Sequence, residues 1–160
     1  MSDQDSILND LLQLLPGYGA YRTQESRRQD DRLAREFLSK RLNDCKAALD
    51  QVGANAVAGG DLESPLKVEE IRQSVELARN RLTAAVEGYS GWFNSRTVDA
   101  ELLGKIVELD QNMVSLVDRL DAFARAATED AGQLDVAGMR EVLTLLQTRI
   151  DRRTELLKAA

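Results

Sequence analysis

Hydrophobic residues recur at steps of three and four over most of the chain, which is the spacing of one face of an α-helix. No segment of any length alternates between apolar and polar residues with period two, so strands are not expected. The pattern predicts five helices. They cover residues 3–15, 23–57, 64–88, 99–127 and a last stretch that carries Met139 to Leu157 and runs to the carboxyl terminus.

Local signals mark the ends of these helices. Pro16-Gly17 ends the first and Gly59-Gly60 ends the second, because proline and glycine interrupt helices. Ser64-Pro65 has the residue types of a helix cap and a first helical turn, and Asp99 is suited to cap the fourth helix. Residues 128–135, with the sequence TEDAGQLD, are expected to form a loop.

Four of the predicted helices are long and their connections are short. We therefore expect an all-α fold, an antiparallel four-helix bundle whose apolar stripes face inward. The first helix is short and amphipathic, and residues 1–21, this helix with its Pro-Gly-Tyr turn, are set apart from a bundle over residues 22–160. The apolar side of the first helix carries Ile7, Leu8, Leu11, Leu12, Leu14 and Leu15.

Composition and charge narrow the classes of partner. Hydrophobic residues make up 43% and charged residues 30% of the chain, as in globular domains. The net charge is −6, and the most basic stretch, residues 22–41, has seven basic residues interleaved with four acidic ones. This interleaving favours internal pairing and disfavours nucleic-acid binding. An acidic N-terminus and the lack of a long apolar run predict a cytoplasmic protein.

The residues that usually carry chemistry are scarce. Histidine is absent, which removes the commonest general base and most zinc and iron sites. Cys45 is the only cysteine and lies in an apolar stripe between Leu42 and Leu49, so core packing is expected for it. We therefore expect no enzymatic activity, no cofactor and no metal.

Two charged residues interrupt the apolar stripes. Asp110 lies between Ile106 and Met113, and Arg153 lies between Ile150 and Leu157, each at helical spacing. A buried carboxylate needs a partner, so we predict a polar layer at one end of the bundle. Its candidate members are Arg27, Arg28, Asp30, Asp31, Arg35 and Asp110, with Arg153 as a further partner for Asp110. Such a layer either sets the register of the helices or binds an anion.

A second set of residues is a candidate partner surface. It combines the apolar side of the first helix, the tyrosines of the following turn and the aromatic segment near residue 92. The candidates are Leu8, Leu11, Leu12, Leu15, Tyr18, Tyr21, Trp92 and Phe93. The aromatic residues have two interpretations, as a lid on the core or as anchors for a partner.

These features favour a non-enzymatic interaction or scaffold protein that binds a protein partner or itself. One alternative is a peripheral membrane protein that uses the N-terminal helix, although the polar side of that helix is acidic, the wrong sign for anionic lipid. Another is an anion- or phosphate-binding helical protein that uses the Arg and Asp residues of the layer or the turn over residues 16–22.

Two stretches resemble a family of small, uncharacterised bacterial helical proteins. They are LLPGYGAYRTQESRRQDDRLAREFL at residues 14–38 and YSGWFNSRTVDAELLGKIVELDQNMVSLVDRL at residues 89–120. The family has a Pro-Gly-Tyr turn before an arginine-rich helix, and an aromatic loop before a helix with an acid at the place of Asp110. The resemblance covers about a third of the chain and implies no activity.

Overall fold

The chain folds into helices that pack against one another. The computed structural model describes residues 3–84, 90–97 and 99–159, and no strand occurs among them. The helices are α1 (Asp3–Leu14), α2 (Gln24–Ala58), α3 (Ser64–Thr83), α4 (Ser90–Asn94), α5 (Ala100–Glu129) and α6 (Val136–Ala159), with a 3₁₀ turn at Ala131–Gln133. The all-helical prediction is confirmed.

Side-chain caps explain where the long helices begin. At the start of α2, the backbone N–H of Ser26 donates to the Thr23 hydroxyl and the N–H of Thr23 donates to the Ser26 hydroxyl, both at 3.1 Å. Asp99 caps α5 as predicted, because its carboxylate accepts from the N–H of Glu101 at 2.9 Å. The cap predicted at Ser64 is wrong by one residue, since Glu63 holds the cap position of α3.

Two further boundaries differ from the prediction. The structure describes α3 as far as Thr83, and its predicted extension to residue 88 falls largely outside the described residues. The aromatic segment predicted as a loop contains the short helix α4. Trp92 and Phe93 lie on this one turn, and packing of both rings into the core holds it.

The directions of the long helices follow from two contacts within each pair. Helices α2 and α3 are antiparallel, as are α5 and α6. Helix α2 runs parallel to α5, and α3 runs parallel to α6. The contacts are Lys46–Glu76 and Asp50–Arg72 for α2 with α3, and Arg153–Asp110 and Gly138–Phe123 for α5 with α6. For α2 with α5 they are Arg41–Asp118 and the binding of Asp31 and Asp110 to the same residue, Arg153. For α3 with α6 they are Arg140–Glu70 and Arg81–Asp151.

The long helices therefore do not form the purely antiparallel arrangement that the short connections indicated. In the described part of the chain α3 and α5 do not adjoin, so the connection between them crosses the end of the molecule. That connection includes α4, whose Trp92 and Phe93 cover the same end.

Helix α1 shares the core of the long helices. It packs on α5, with Leu11 and Leu15 buried and Ile7 and Leu8 partly buried against the same apolar cluster. Tyr18, in the turn that follows, is also part of this cluster. The described residues from Ile7 to Tyr21 thus contribute to the same hydrophobic core as the long helices.

Truncation of α1 side chains measures this packing. We expect Leu11→Ala to lower the free energy of unfolding by about 2–5 kcal/mol, because it leaves a cavity at a fully buried site. The neighbouring Leu12 is 42% exposed and is the matched control, with an expected loss within about 0.5 kcal/mol. Urea unfolding followed by circular dichroism compares the two, and equal losses would show that α1 does not dock.

Candidate functional site

A buried cluster of charged residues and tyrosines, hereafter the charge cluster, lies where the α1–α2 turn meets α2, α5 and α6. Arg153 of α6 is at its centre and is 4% exposed. Its Nε donates to Asp110 Oδ1 at 2.7 Å, and its Nη1 donates to Asp31 Oδ1 at 2.7 Å. The guanidinium is therefore held between two carboxylates from two other helices.

Two tyrosines complete the coordination of Asp110. The hydroxyl of Tyr18 donates to Asp110 Oδ2 at 2.9 Å, and the hydroxyl of Tyr21 donates to the same oxygen. The Tyr21 hydroxyl also accepts from Arg153 Nη2 at 2.6 Å. The two tyrosine hydroxyls and Arg153 Nε thus all donate to the Asp110 carboxylate, and Asp110 is 1% exposed.

Asp31 links the centre of the charge cluster to α3. Its second oxygen accepts from Arg35 Nε at 2.9 Å, one helical turn further along α2. Arg35 in turn donates from Nη1 to the backbone carbonyl of Leu82 at 3.2 Å. Arg35 therefore connects Asp31 to the last turn of α3 while remaining partly exposed.

Asp30 holds the turn between α1 and α2. Its two oxygens accept from the backbone N–H groups of Gly19 and Tyr21, at 2.9 and 2.8 Å. Ala20 and Tyr21 have φ angles of 53° and 61°, a left-handed conformation that costs about 1–3 kcal/mol for each non-glycine residue. The two charge-assisted hydrogen bonds offset this cost and orient the Tyr21 ring toward Asp110.

Arg27 forms an adjacent contact with α4. It is 2% exposed and donates from Nη1 to the carbonyls of Trp92, at 2.9 Å, and of Ser95. Its guanidinium also lies 5.6 Å from the centre of the Trp92 ring. Arg28 points outward instead, over Phe93 and toward the side chain of Asn94. Of the six predicted layer residues, Arg28 alone is exposed.

Burial shifts the proton equilibria of the cluster. Desolvation, reinforced by the negative charge of Asp110, raises the pKa of Tyr18 far above its usual range. Desolvation also raises the pKa of Tyr21, and the opposing effect of Arg153 is smaller. For Arg153, desolvation lowers the pKa but Asp110, Tyr21 and Asp31 together outweigh it, so the net shift is upward. Both tyrosines stay protonated and Arg153 stays charged.

These contacts favour a structural role for the charge cluster. The carboxylates of Asp30, Asp31 and Asp110 are each paired with donors of this chain. The guanidinium groups of Arg153 and Arg35 are likewise already bound to carboxylates. An anion would have to displace a buried acid to enter. The arrangement therefore supports the register-setting interpretation over the anion-site one.

The residues predicted as a partner surface lie mostly inside the molecule. Six of the eight are at most 2% exposed and pack in the core: Leu11, Leu15, Tyr18, Tyr21, Trp92 and Phe93. Leu8 is partly buried, and only Leu12, at 42%, faces outward. The expectation of an exposed surface is therefore corrected. The α1–α2 turn folds α1 back on α5, which the periodicity of α1 could not indicate.

Exposed aliphatic residues occur instead around the turn between α2 and α3. Val57 is 55% exposed, and Leu62 and Leu66 are each 75% exposed. The sequence analysis missed these residues because it considered only the apolar stripes. Aliphatic residues that lie outside the stripe of their helix were the signal that could have identified them.

Cys45 is fully buried, and desolvation, followed by the negative charge of Asp121, raises the pKa of its thiol to about 12. Among the described residues, no three Cys, Asp or Glu side chains are grouped as metal ligands.

Removal of Asp110 tests the charge cluster. We expect Asp110→Ala to lower the free energy of unfolding by about 3–5 kcal/mol, because it leaves the buried Arg153 with only one of its two carboxylates and the hydroxyls of Tyr18 and Tyr21 without their acceptor. Asp118→Ala is the control, on the same helix and paired with Arg41 at the surface, with an expected cost of at most about 1 kcal/mol. Chemical unfolding measures both, and a loss for Asp110→Ala as small as the control's would refute the role of the cluster.

The tyrosine shifts predict a loss of stability in alkali. In the unfolded chain tyrosines release their protons near pH 10, whereas Tyr18 and Tyr21 keep theirs in the folded protein. The unfolded state then binds fewer protons, so the free energy of unfolding falls as pH rises above about 10. The slope is about 1.4 kcal/mol per pH unit for each group.

Cys45 adds to this fall from about pH 9 upward, because its folded pKa is raised in the same direction. Unfolding curves at successive pH values measure the slope. Tyr18→Phe should make the decline above pH 10 shallower than in the parent chain. An identical slope in both proteins would show that Tyr18 titrates normally.

Comparison with models of known families, with curated proteins and with solved structures finds no match for this chain. None of the helices in the described residues is both long enough and apolar enough to cross a membrane. The function therefore has to be inferred from the contacts, exposed surfaces and charges of the chain itself.

Proposed function

We propose that this chain is a non-enzymatic interaction protein that binds a protein partner through the α2–α3 end of the molecule. The observation that carries this proposal is the exposure of Val57, Leu62 and Leu66, at 55%, 75% and 75%, within ten residues of one turn. Single exposed aliphatic residues are ordinary, but several on one turn are typical of an interaction site.

The turn presents these side chains in a defined geometry. The N–H of Gly60 donates to the carbonyl of Val57 at 3.0 Å, and the N–H of Asp61 donates to that of Ala56 at 2.9 Å. The Asp61 carboxylate then accepts from the N–H groups of Glu63 and Ser64, at 3.0 and 3.1 Å. Leu62 therefore lies between two hydrogen-bonded turns, and binding through it loses little conformational entropy.

A groove next to the turn extends the same surface. It has a volume of about 520 Å³ and lies between the start of α3 and the start of α6. Its charged lining residues are Asp61, Lys67 and Arg140, of which Arg140 is paired with Glu70, and its apolar lining residues are Leu134, Val136 and Ala137. Apolar residues beside a charged rim match the composition of protein–protein interfaces.

The other candidate functions have weaker support. A membrane role for α1 requires its apolar side to be free, but Leu11 and Leu15 are buried against the core. An anion site in the charge cluster requires donors that are already paired. Contact with a protein, or with a second copy of the chain, is the function that these positions support best.

Substitution of the exposed leucines tests the proposal. We expect Leu62→Ser/Leu66→Ser to weaken partner binding at least about tenfold, because two buried interface leucines together contribute more than about 1.4 kcal/mol. Leu77→Ser is the matched control, since Leu77 is 46% exposed on α3 and lies outside the turn. Quantitative co-purification measures heterologous partners, and light scattering across concentrations measures self-association.

Unfolding curves accompany both variants to show that the fold is intact. Loss of one defined partner, or of self-association, in the double variant alone supports the proposal. If the double variant and Leu77→Ser keep the same partners and the same association state, the α2–α3 end is not the contact surface.

A further inference from the structure

We infer that a groove between α5 and α6 is a binding site for a small polyvalent anion, a phosphate or a polycarboxylate. This site is separate from the charge cluster and from the α2–α3 end. Three basic side chains line the groove, Lys105 from α5 and Arg149 and Arg152 from α6. Its volume is about 310 Å³, which suits a small ligand.

Helical spacing brings the lining residues to one place. Lys105, Glu108 and Asn112 lie at successive turns along α5, and Arg149 and Arg152 lie one turn apart on α6. The two helices are antiparallel and are joined beneath the groove by the buried Asp110–Arg153 pair. The residues directly before this pair in the sequence, Leu109 and Arg152, both line the groove. The charge cluster therefore joins the two helices that form the walls of the groove.

The residues that line the groove are mainly basic although the chain is acidic, and the acids that pair with Lys105 and Arg152, Glu101 and Glu155, lie outside the lining. The groove has three basic residues and one acid, Glu108, whereas the chain as a whole has a net charge of −6. The negative net charge of the chain repels anions from most of its surface. A groove lined mainly by basic residues is therefore the place where an anion binds. The excess of positive charge is too small for a nucleic-acid backbone and suits one compact anion.

The basic residues are also available to a ligand. Arg149 makes no hydrogen bond or ion pair within the described part of the chain, although its side chain is only partly exposed. Arg152 has a single weak partner, Glu155 at 3.6 Å, and Lys105 pairs with Glu101 at 3.2 Å. Both pairs join residues of one helix at the surface, where an ion pair contributes little and is readily exchanged.

The groove offers further recognition besides charge. Asn112 can donate from its amide to an oxygen of the ligand, and Leu109 and Leu156 provide an apolar wall. Two guanidinium groups three residues apart can each bind an oxyanion through paired N–H donors. The chemistry therefore fits a ligand with two or more anionic groups, such as a diphosphate or a tricarboxylate.

Titration calorimetry with inorganic pyrophosphate and with citrate, at matched ionic strength, tests this inference and distinguishes phosphate from carboxylate ligands. We expect saturable binding of at least one of them to the full chain. Arg149→Gln/Arg152→Gln should weaken that binding at least about tenfold, because charge-assisted hydrogen bonds are lost. Arg32→Gln/Lys40→Gln removes two positive charges from exposed positions of α2 outside the groove and should change the affinity less than about twofold.

Amide chemical shifts give a second readout. A bound anion should move the signals of residues 105–112 and 149–156 in the parent chain and in the control variant. Absence of binding at millimolar concentrations of both probes would overturn the inference. Equal weakening by the two double variants would also overturn it, because it would show a general effect of net charge. Neither result bears on the leucine variants, which test a different surface.

Discussion

A guanidinium group that is buried away from water needs carboxylate partners. The way in which Arg153 obtains them explains most of this structure. Arg153 binds Asp31 of α2 and Asp110 of α5 at 2.7 Å each, while Tyr21 accepts from its remaining arm. Removing these charges from water costs several kcal/mol for each ion, so a good ion pair roughly breaks even against apolar packing. The benefit lies in specificity, because a shifted register of α6 would leave buried charges unpaired.

The need to pair buried charged groups also explains the turn between α1 and α2. Two residues of that turn have left-handed backbone conformations, and Asp30 stabilises them through two backbone N–H groups. This geometry places Tyr18 and Tyr21 against Asp110 and folds α1 onto α5. Most of the residues that the sequence predicted as a partner surface are thus part of the hydrophobic core. One end of the molecule is closed by polar contacts, and the exposed aliphatic side chains lie at the other.

Of the two proposed sites, the anion groove adjoins this closed end and the contact surface does not. The helices α5 and α6 are held together by Asp110 and Arg153, and the groove lies directly above that pair. The α2–α3 turn is one helix length away and is ordered by its own hydrogen bonds around Asp61. A rigid scaffold with separate exposed sites is the arrangement expected of a protein that works through binding.

The amino-acid sequence alone determined α1 and the four long helices, but not α4, because helical periodicity is a local property and capping residues such as Asp99 mark its ends. It also identified Asp110 and Arg153, since a charge within an apolar stripe has to be paired. Only the tertiary structure decided that α2 lies beside α5 in parallel, that Tyr18 and Tyr21 bind Asp110, and that Leu62 and Leu66 stay exposed. The stripes are chemically alike, so their periodicity shows that a face is buried but not which helix covers it. That choice depends on contacts between residues far apart in the chain.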